Sequence, residues 1–247
     1  MRLRIVRLLP LTLCLGCAVL TAPSDTDNST VGEADPTTAR ASEDGEAASQ
    51  ESSRLLQAAA MHLQKGENAA ALPCLTRYVE QNPDQVVMRA HLAELLLKLD
   101  KADEAREQLE RFIVDSQLQG ELASQQLANG YIRLMEIAQK QGDDYAEHLN
   151  RGIGLYCIAE QILARPGGNE NPGAEKSLFK AIDELKLAAH LRPDQPRPQW
   201  YLHESWSALG QSQPAHQALR RSRKLTVFGG LTPAEAESLA LAVEDKL

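Results

Sequence analysis

The stretch Trp-Tyr-Leu-His-Glu-Ser-Trp, residues 200–206, gathers both tryptophans of a 247-residue chain that is otherwise poor in aromatic residues. It also sets His203 beside Glu204. Histidine and glutamate adjacent on a helix open the zinc-protease pattern H-E-x-x-H, where two imidazoles share one face and the glutamate acts as general base. Here the second histidine position holds Ser207, and His216, the nearest other imidazole, completes no standard ligand set. Gly152-Ile153-Gly154 is glycine-rich, but no phosphate-binding lysine follows it, so close helix packing is the better reading. No G-x-S-x-G nucleophile elbow occurs. The chain is therefore expected to be non-enzymatic, with no catalytic residue, metal site or cofactor.

The other reactive side chains lead to equally plain chemistry. Cys74 and Cys157 lie among apolar residues on segments of helical period, which suits buried free thiols; a disulfide between them is the alternative. The formal net charge is −8, which opposes general nucleic-acid binding because displacing counterions needs a basic surface. The charge is uneven. Residues 23–51 carry eight acidic side chains against Arg40 alone, whereas Arg220, Arg221, Arg223 and Lys224 form a short basic run. Such a run suits a solvated helix face or a helix C-terminus, where cations oppose the macrodipole.

The elements that must position these residues are helices. Leu, Ala, Gln, Glu, Lys and Arg dominate, and strand-favouring residues are scarce, so an all-α protein is expected. The N-terminus reads as an address: Arg2, Arg4 and Arg7 precede an apolar run from Leu8 to Leu15, too short for a comfortable membrane span. Leu15-Gly16-Cys17 resembles the end of a bacterial lipobox, which implies acylation of Cys17 and a lipid anchor. Ordinary cleavage after Ala18 and an uncleaved anchor are the alternatives. Residues 1–18 are thus assigned as signal peptide. Residues 19–51 are assigned as a disordered acidic linker, too poor in apolar residues to offset the entropy of ordering.

From residue 52 the sequence repeats. Ala71 and Ala105 are 34 residues apart, as are Leu75 and Leu109 and the turns at Gly66 and Asp100. A period of 34 is that of a helix–turn–helix repeat. With Ala71, Leu75 and Pro83 in the first unit, Ala105, Leu109 and Phe112 in the second, and Leu202, Trp206, Gly210, Ala215 and Leu219 in the last, the chain resembles the tetratricopeptide repeat (TPR) family. Ala181, Leu185 and Ala188, closing on Pro193, match a lone second helix. The resemblance implies a right-handed superhelix of helix–turn–helix pairs. Its repeats would fall at about 52–85, 86–119 and 196–229, with a degenerate stretch at 120–193 and a cap at 232–246. In the degenerate stretch, either Asn129-Gly130 breaks the first long helix, or 143–164 pairs with 174–191 across the Pro- and Gly-rich loop 164–173. Thr232, Pro233 and Glu235 form a capping box that opens the terminal helix.

In this family the first helices line a concave groove that holds peptides or partner segments. By helical spacing Arg197, Tyr201 and Glu204 share one stripe, with Trp200 beside it. The corresponding stripes hold His91, Glu94 and Lys98 in the second repeat and Gln57 and Gln64 in the first. These nine residues are the expected partner-binding groove, with an ordinary solvated face as the alternative. Leu202 and Trp206 are expected in the core. The resulting expectation is a TPR scaffold for protein–protein interaction, facing the periplasm at the bacterial cell envelope, or secreted. The alternatives are a structural assembly subunit that uses its outer helix faces, or an accessory domain of an enzyme complex.

Overall fold

The computed structural model describes residues 36–119 and 124–244. The signal segment, the candidate lipobox with Cys17, and residues 245–246 of the expected cap lie outside them. The chain divides into two compact units, residues 1–44 and 45–247. Of the first, residues 36–44 are described, and they are helical. The second unit is all-helical among its described residues.

The helices of the described residues are α1 (Pro36–Gln64), α2 (Asn68–Gln81), α3 (Val86–Lys98), α4 (Ala102–Gln119), α5 (Ser124–Gln141), α6 (Asp144–Leu163), α7 (Pro172–Leu191), α8 (Pro196–Ala208), α9 (Ser212–Leu225) and α10 (Pro233–Glu244). Helix α1 starts inside the stretch assigned as a linker, so residues 36–51 are helical. Alanine and glutamate spaced through this stretch are good helix formers. Its last part is also docked: Glu51 pairs with Arg77 at 2.6 Å, and Ser52 accepts a hydrogen bond from Asn82.

Four turns close in the same way. At Gly66, Asp100, Gly142 and Gly210 the backbone takes a positive φ, between 61° and 74°. The next amide then reaches back five residues: Glu67 to His62, Lys101 to Leu96, Asp143 to Ala138, and Gln211 to Trp206. This is the Schellman closure, which suits glycine and is tolerated by aspartate. It joins α1 to α2, α3 to α4, α5 to α6 and α8 to α9. A second turn, Pro-Asp-Gln, recurs at 83–85 and 193–195 and leads from α2 into α3 and from α7 into α8.

The second helices repeat one packing unit. Ala71, Ala105, Ala181 and Ala215 are almost wholly buried, and four residues on, Leu75, Leu109, Leu185 and Leu219 are buried as well. The alanines let paired helices approach; the leucines fill the space to the next pair, so stability comes from stacking.

The middle of the array departs from simple alternation. Helix α5 runs unbroken through Asn129-Gly130. Helix α6 packs on both neighbours, which explains its two glycines. A Cβ on Gly152 would stand 2.7 Å from Leu185 of α7, while one on Gly154 would face Tyr131 of α5 at 3.5 Å. Helix α6 thus serves as second helix to α5 and as first helix to α7. Across the α6–α7 contact, Glu184 meets His148 at 2.6 Å and Arg151 at 3.4 Å.

Candidate functional site

The site grows from the start of the terminal helix. Thr232 accepts from the Glu235 amide, and Glu235 Oε2 accepts from the Thr232 amide at 2.9 Å, so the capping box forms. The other oxygen, Glu235 Oε1, points inward. It accepts from Arg197 Nε at 2.9 Å, Arg197 Nη2 at 2.8 Å and Tyr201 Oη at 2.8 Å. Arg197 Nη2 also donates to Tyr131 Oη at 3.0 Å. Further along, Thr232 Oγ1 donates to Gln117 Oε1, 115 residues away in sequence. Helix α10 therefore returns across the face formed by α4, α5 and α8 and is latched there by one carboxylate.

The latch is a buried polar cluster. Burial pushes the Tyr131 and Tyr201 phenols above their ordinary range, so both stay protonated: Tyr201 donates to Glu235, and Tyr131 accepts from Arg197. Burial also works against the Arg197 charge, but Tyr131 and Glu235 beside it keep the guanidinium fully protonated. Cys157 shares this environment; burial raises its thiol, which leaves it un-ionised and a poor nucleophile.

Beside the latch lies a cavity of about 360 Å³ between α4, α5 and α6. Ile113, Leu134, Ala138 and Leu149 give it an apolar floor, and its rim carries both charges, Arg106 and Arg192 with Glu110 and Asp143. Arg197 and Thr232 close the end next to α10. The Arg192 guanidinium stacks on Tyr145, 4.4 Å from the ring centre, and lies 3.6 Å from Asp143. Both rim guanidinium groups already face a carboxylate, Arg106 that of Asp103 and Arg192 that of Asp143. Among the described residues no three His, Cys, Asp or Glu side chains converge as metal ligands.

Of the nine residues expected to line a groove, Arg197, Trp200, Tyr201 and Glu204 lie on α8, His91, Glu94 and Lys98 on α3, and Gln57 and Gln64 on α1. Trp200 and Tyr201 are 5% and 6% exposed, so neither is a surface anchor. Tyr201 is covered by α10 through Glu235, and Trp200 is turned into the core with its ring 5.5 Å from His203. Arg197 is committed to the latch and reaches the cavity only at its edge. Glu204 accepts from Tyr156 at 3.2 Å and lies 3.8 Å from His203 Nε2. Glu94 pairs with Arg133 of α5 at 2.6 Å. Gln57, Gln64, His91 and Lys98 are exposed and away from the cavity. The two tryptophans exchange their expected places: Trp206 is only half-buried, edge-on to the exposed Phe179 and under Lys186. The cause is the second neighbour of α8. With α10 on one side and α7 and α9 on others, Trp200 through His203 are all buried, and a single apolar stripe no longer marks the inside. His203 holds α8 to α9: a carbonyl can only accept, so its Nδ1–H donates to Ala215 O at 3.0 Å.

Arg106, Tyr145, Arg192 and Glu235 were not legible as site residues. Glu235 was visible as a cap, but a capping box says nothing about where its second oxygen points.

Residues 62–118 match the tetratricopeptide repeat family. No curated protein matches the chain. Among solved structures, the MamA protein aligns at 13% identity over 72% of this chain and 93% of its own, with a TM-score of 0.39. TPR-like repeats of a putative kinesin light chain from Podosopora anserina align at 18% identity over 71% and 96%, with a TM-score of 0.36. YrrB, described as a TPR protein with an unusual peptide-binding site, aligns at 11% identity over 76% and 88%, with a TM-score of 0.32. With its recurring Schellman turns, its Ala-x3-Leu second helices and the match over residues 62–118, the chain is an all-α protein of tetratricopeptide-like helix pairs closed by a C-terminal helix.

Proposed function

We propose that the chain is a non-enzymatic scaffold for protein–protein interaction at the bacterial cell envelope, and that it receives a partner segment in the cavity between α4, α5 and α6. One observation carries this reading: the same face already holds a helix, α10, through a carboxylate in the grip of Arg197. A partner segment beside it would place an apolar side chain on Leu134 and Leu149. The envelope assignment rests on the N-terminal sequence, with acylated Cys17 as the membrane anchor.

A photo-crosslinking residue at Gln141, on the cavity rim, tests the partner site in the native host. The same residue at Gln57 is the control. A crosslinked protein from Gln141 that disappears with Arg106→Glu and Arg192→Glu supports the site. Equal crosslinking from Gln57 refutes it. Mass spectrometry of the mature N-terminus tests the anchor separately: an acylated Cys17 is expected, and a free terminus at Val19 would refute it.

The exposed apolar residues of α7 favour assembly as a second reading. Phe179, Leu187 and Leu191 are each between 44% and 48% exposed. Sedimentation of the chain against its Phe179→Ser, Leu187→Ser variant distinguishes an assembly subunit from a monomeric scaffold.

A further inference from the structure

Helix α9 carries a feature that the partner reading does not use. Its buried side is Ala215, Ala218, Leu219 and Ser222. Its other side carries His216, Arg220, Arg221, Arg223 and Lys224, all exposed, and the helix contains no acidic residue. None of the four arginine and lysine side chains forms an ion pair among the described residues, in a chain whose net charge is −8. The helix then runs into a 3-10 turn, Thr226–Phe228, whose Val227 and Phe228 are 80% and 65% exposed. Val227 and Phe228 follow Lys224 within four residues, so the exposed apolar pair adjoins the exposed cations along the chain. Gly229 and Gly230, both with positive φ, turn the chain immediately afterwards, so the exposed pair sits at a corner.

We propose that this corner is a membrane-contact surface that docks on anionic lipid: Arg220, Arg221 and Lys224 sit among the headgroups, and Val227 and Phe228 enter the interface. Cations beside bulky apolar residues at one edge are what an interfacial site requires, since charge draws the segment to the surface and the apolar groups hold it there. A nucleic-acid duplex fits less well. Four cations fall short of the roughly six to ten phosphate contacts of a duplex-binding surface, and an exposed valine has no use there. An acidic protein would satisfy the charges and leave Val227 and Phe228 in water. The surface lies at the opposite end of the sequence from Cys17 and does not depend on its acylation.

The test is vesicle cosedimentation of the full chain carrying Cys17→Ser. Vesicles of mixed phosphatidylglycerol and phosphatidylcholine are compared with phosphatidylcholine alone. Binding to the anionic vesicles is expected, and each neutralised cation should weaken it about fivefold. Arg220→Gln, Arg221→Gln and Lys224→Gln together should thus weaken it about a hundredfold. Phe228→Ser should weaken it roughly tenfold. All the substituted side chains are exposed, so circular dichroism should stay unchanged. Because the N-terminal segment could also bind lipid, a nitroxide on Val227→Cys, with Cys14, Cys17 and Cys74 changed to Ser, supplies a local readout. On anionic vesicles it should gain accessibility to oxygen over a water-soluble nickel chelate. Equal binding of the parent and triple variant, together with a nitroxide that stays in water, would overturn the proposal. So would loss of nucleic-acid binding, and not of vesicle binding, in the triple variant.

Discussion

Removing the latch is the sharpest perturbation the structure offers. In Glu235→Ala, Arg197 loses its carboxylate and Tyr201 its acceptor, and the Thr232 amide loses its cap. Stranding one member of a buried ion pair costs about 3–5 kcal/mol. Glu235 is 3% exposed and Arg197 19%. The stranded guanidinium therefore reaches some water and keeps Tyr131 at 3.0 Å, which places its share at the low end. Adding about 1 kcal/mol for the lost neutral hydrogen bonds gives roughly 3–4 kcal/mol. For a chain of this size that lowers the melting temperature by about 10 °C. The loss should be uneven. Beyond the latch, α10 is held by Leu239 and by the Thr232–Gln117 bond, and Gly229-Gly230 lets it swing. Hydrogen exchange should therefore accelerate across Pro233–Glu244 while α6 keeps its protection. A second variant, Arg197→Met with Glu235→Met, should regain most of the lost stability, because an apolar pair strands no charge. A Glu235→Ala protein that melts within about 1 °C of the parent with α10 still protected would refute the latch. So would a double variant no better than the single.

Other outcomes follow from burial. Gly152→Val should cost about 1–3 kcal/mol, because its Cβ meets fully buried Leu185 at 2.7 Å, whereas Gly154→Ala, with 3.5 Å of room, should be neutral or slightly stabilising; denaturant melts compare the two. Tyr131, Tyr156 and Tyr201 are held above the ordinary phenol value of 10.0 by burial, so the folded state keeps protons that the unfolded chain releases. Stability should be flat with respect to these groups below about pH 10 and fall as pH rises above it, and phenolate absorbance should show the three ionising only with unfolding. Free phenolate from all five tyrosines before the unfolding transition would contradict this. Alkylation of the native protein should modify half-exposed Cys74 ahead of buried Cys157, whose thiol burial keeps un-ionised; equal rates in a peptide map would count against that packing.

Much of the array was readable as text because it depends on local rules repeated at a fixed interval. Ala71, Ala105, Ala181 and Ala215 mark close approaches, and Gly66 and Gly210 mark turns that need a positive φ, wherever the chain goes afterwards. Gly152-Ile153-Gly154 could be read as close packing for the same reason, although not that its two glycines serve different neighbours. Helical propensity likewise carries α1 back to Pro36, where acidity and low hydrophobicity had pointed to a tether.

The site depended on what no local pattern encodes. A helical wheel assumes one buried side, and α8 has neighbours on several because α10 folds back over it; Trp200 and Tyr201 went inside and Trp206 moved to the edge. That return is a contact between residues 38 to 115 positions apart, from Arg197 to Glu235 and from Gln117 to Thr232. The sequence by itself determined the helices, their turns and the interval at which they stack, since these rest on backbone conformation and neighbours within a few residues. Only the tertiary structure decided which face stays open, because that is settled by which distant helix reaches it first and buries its charge there.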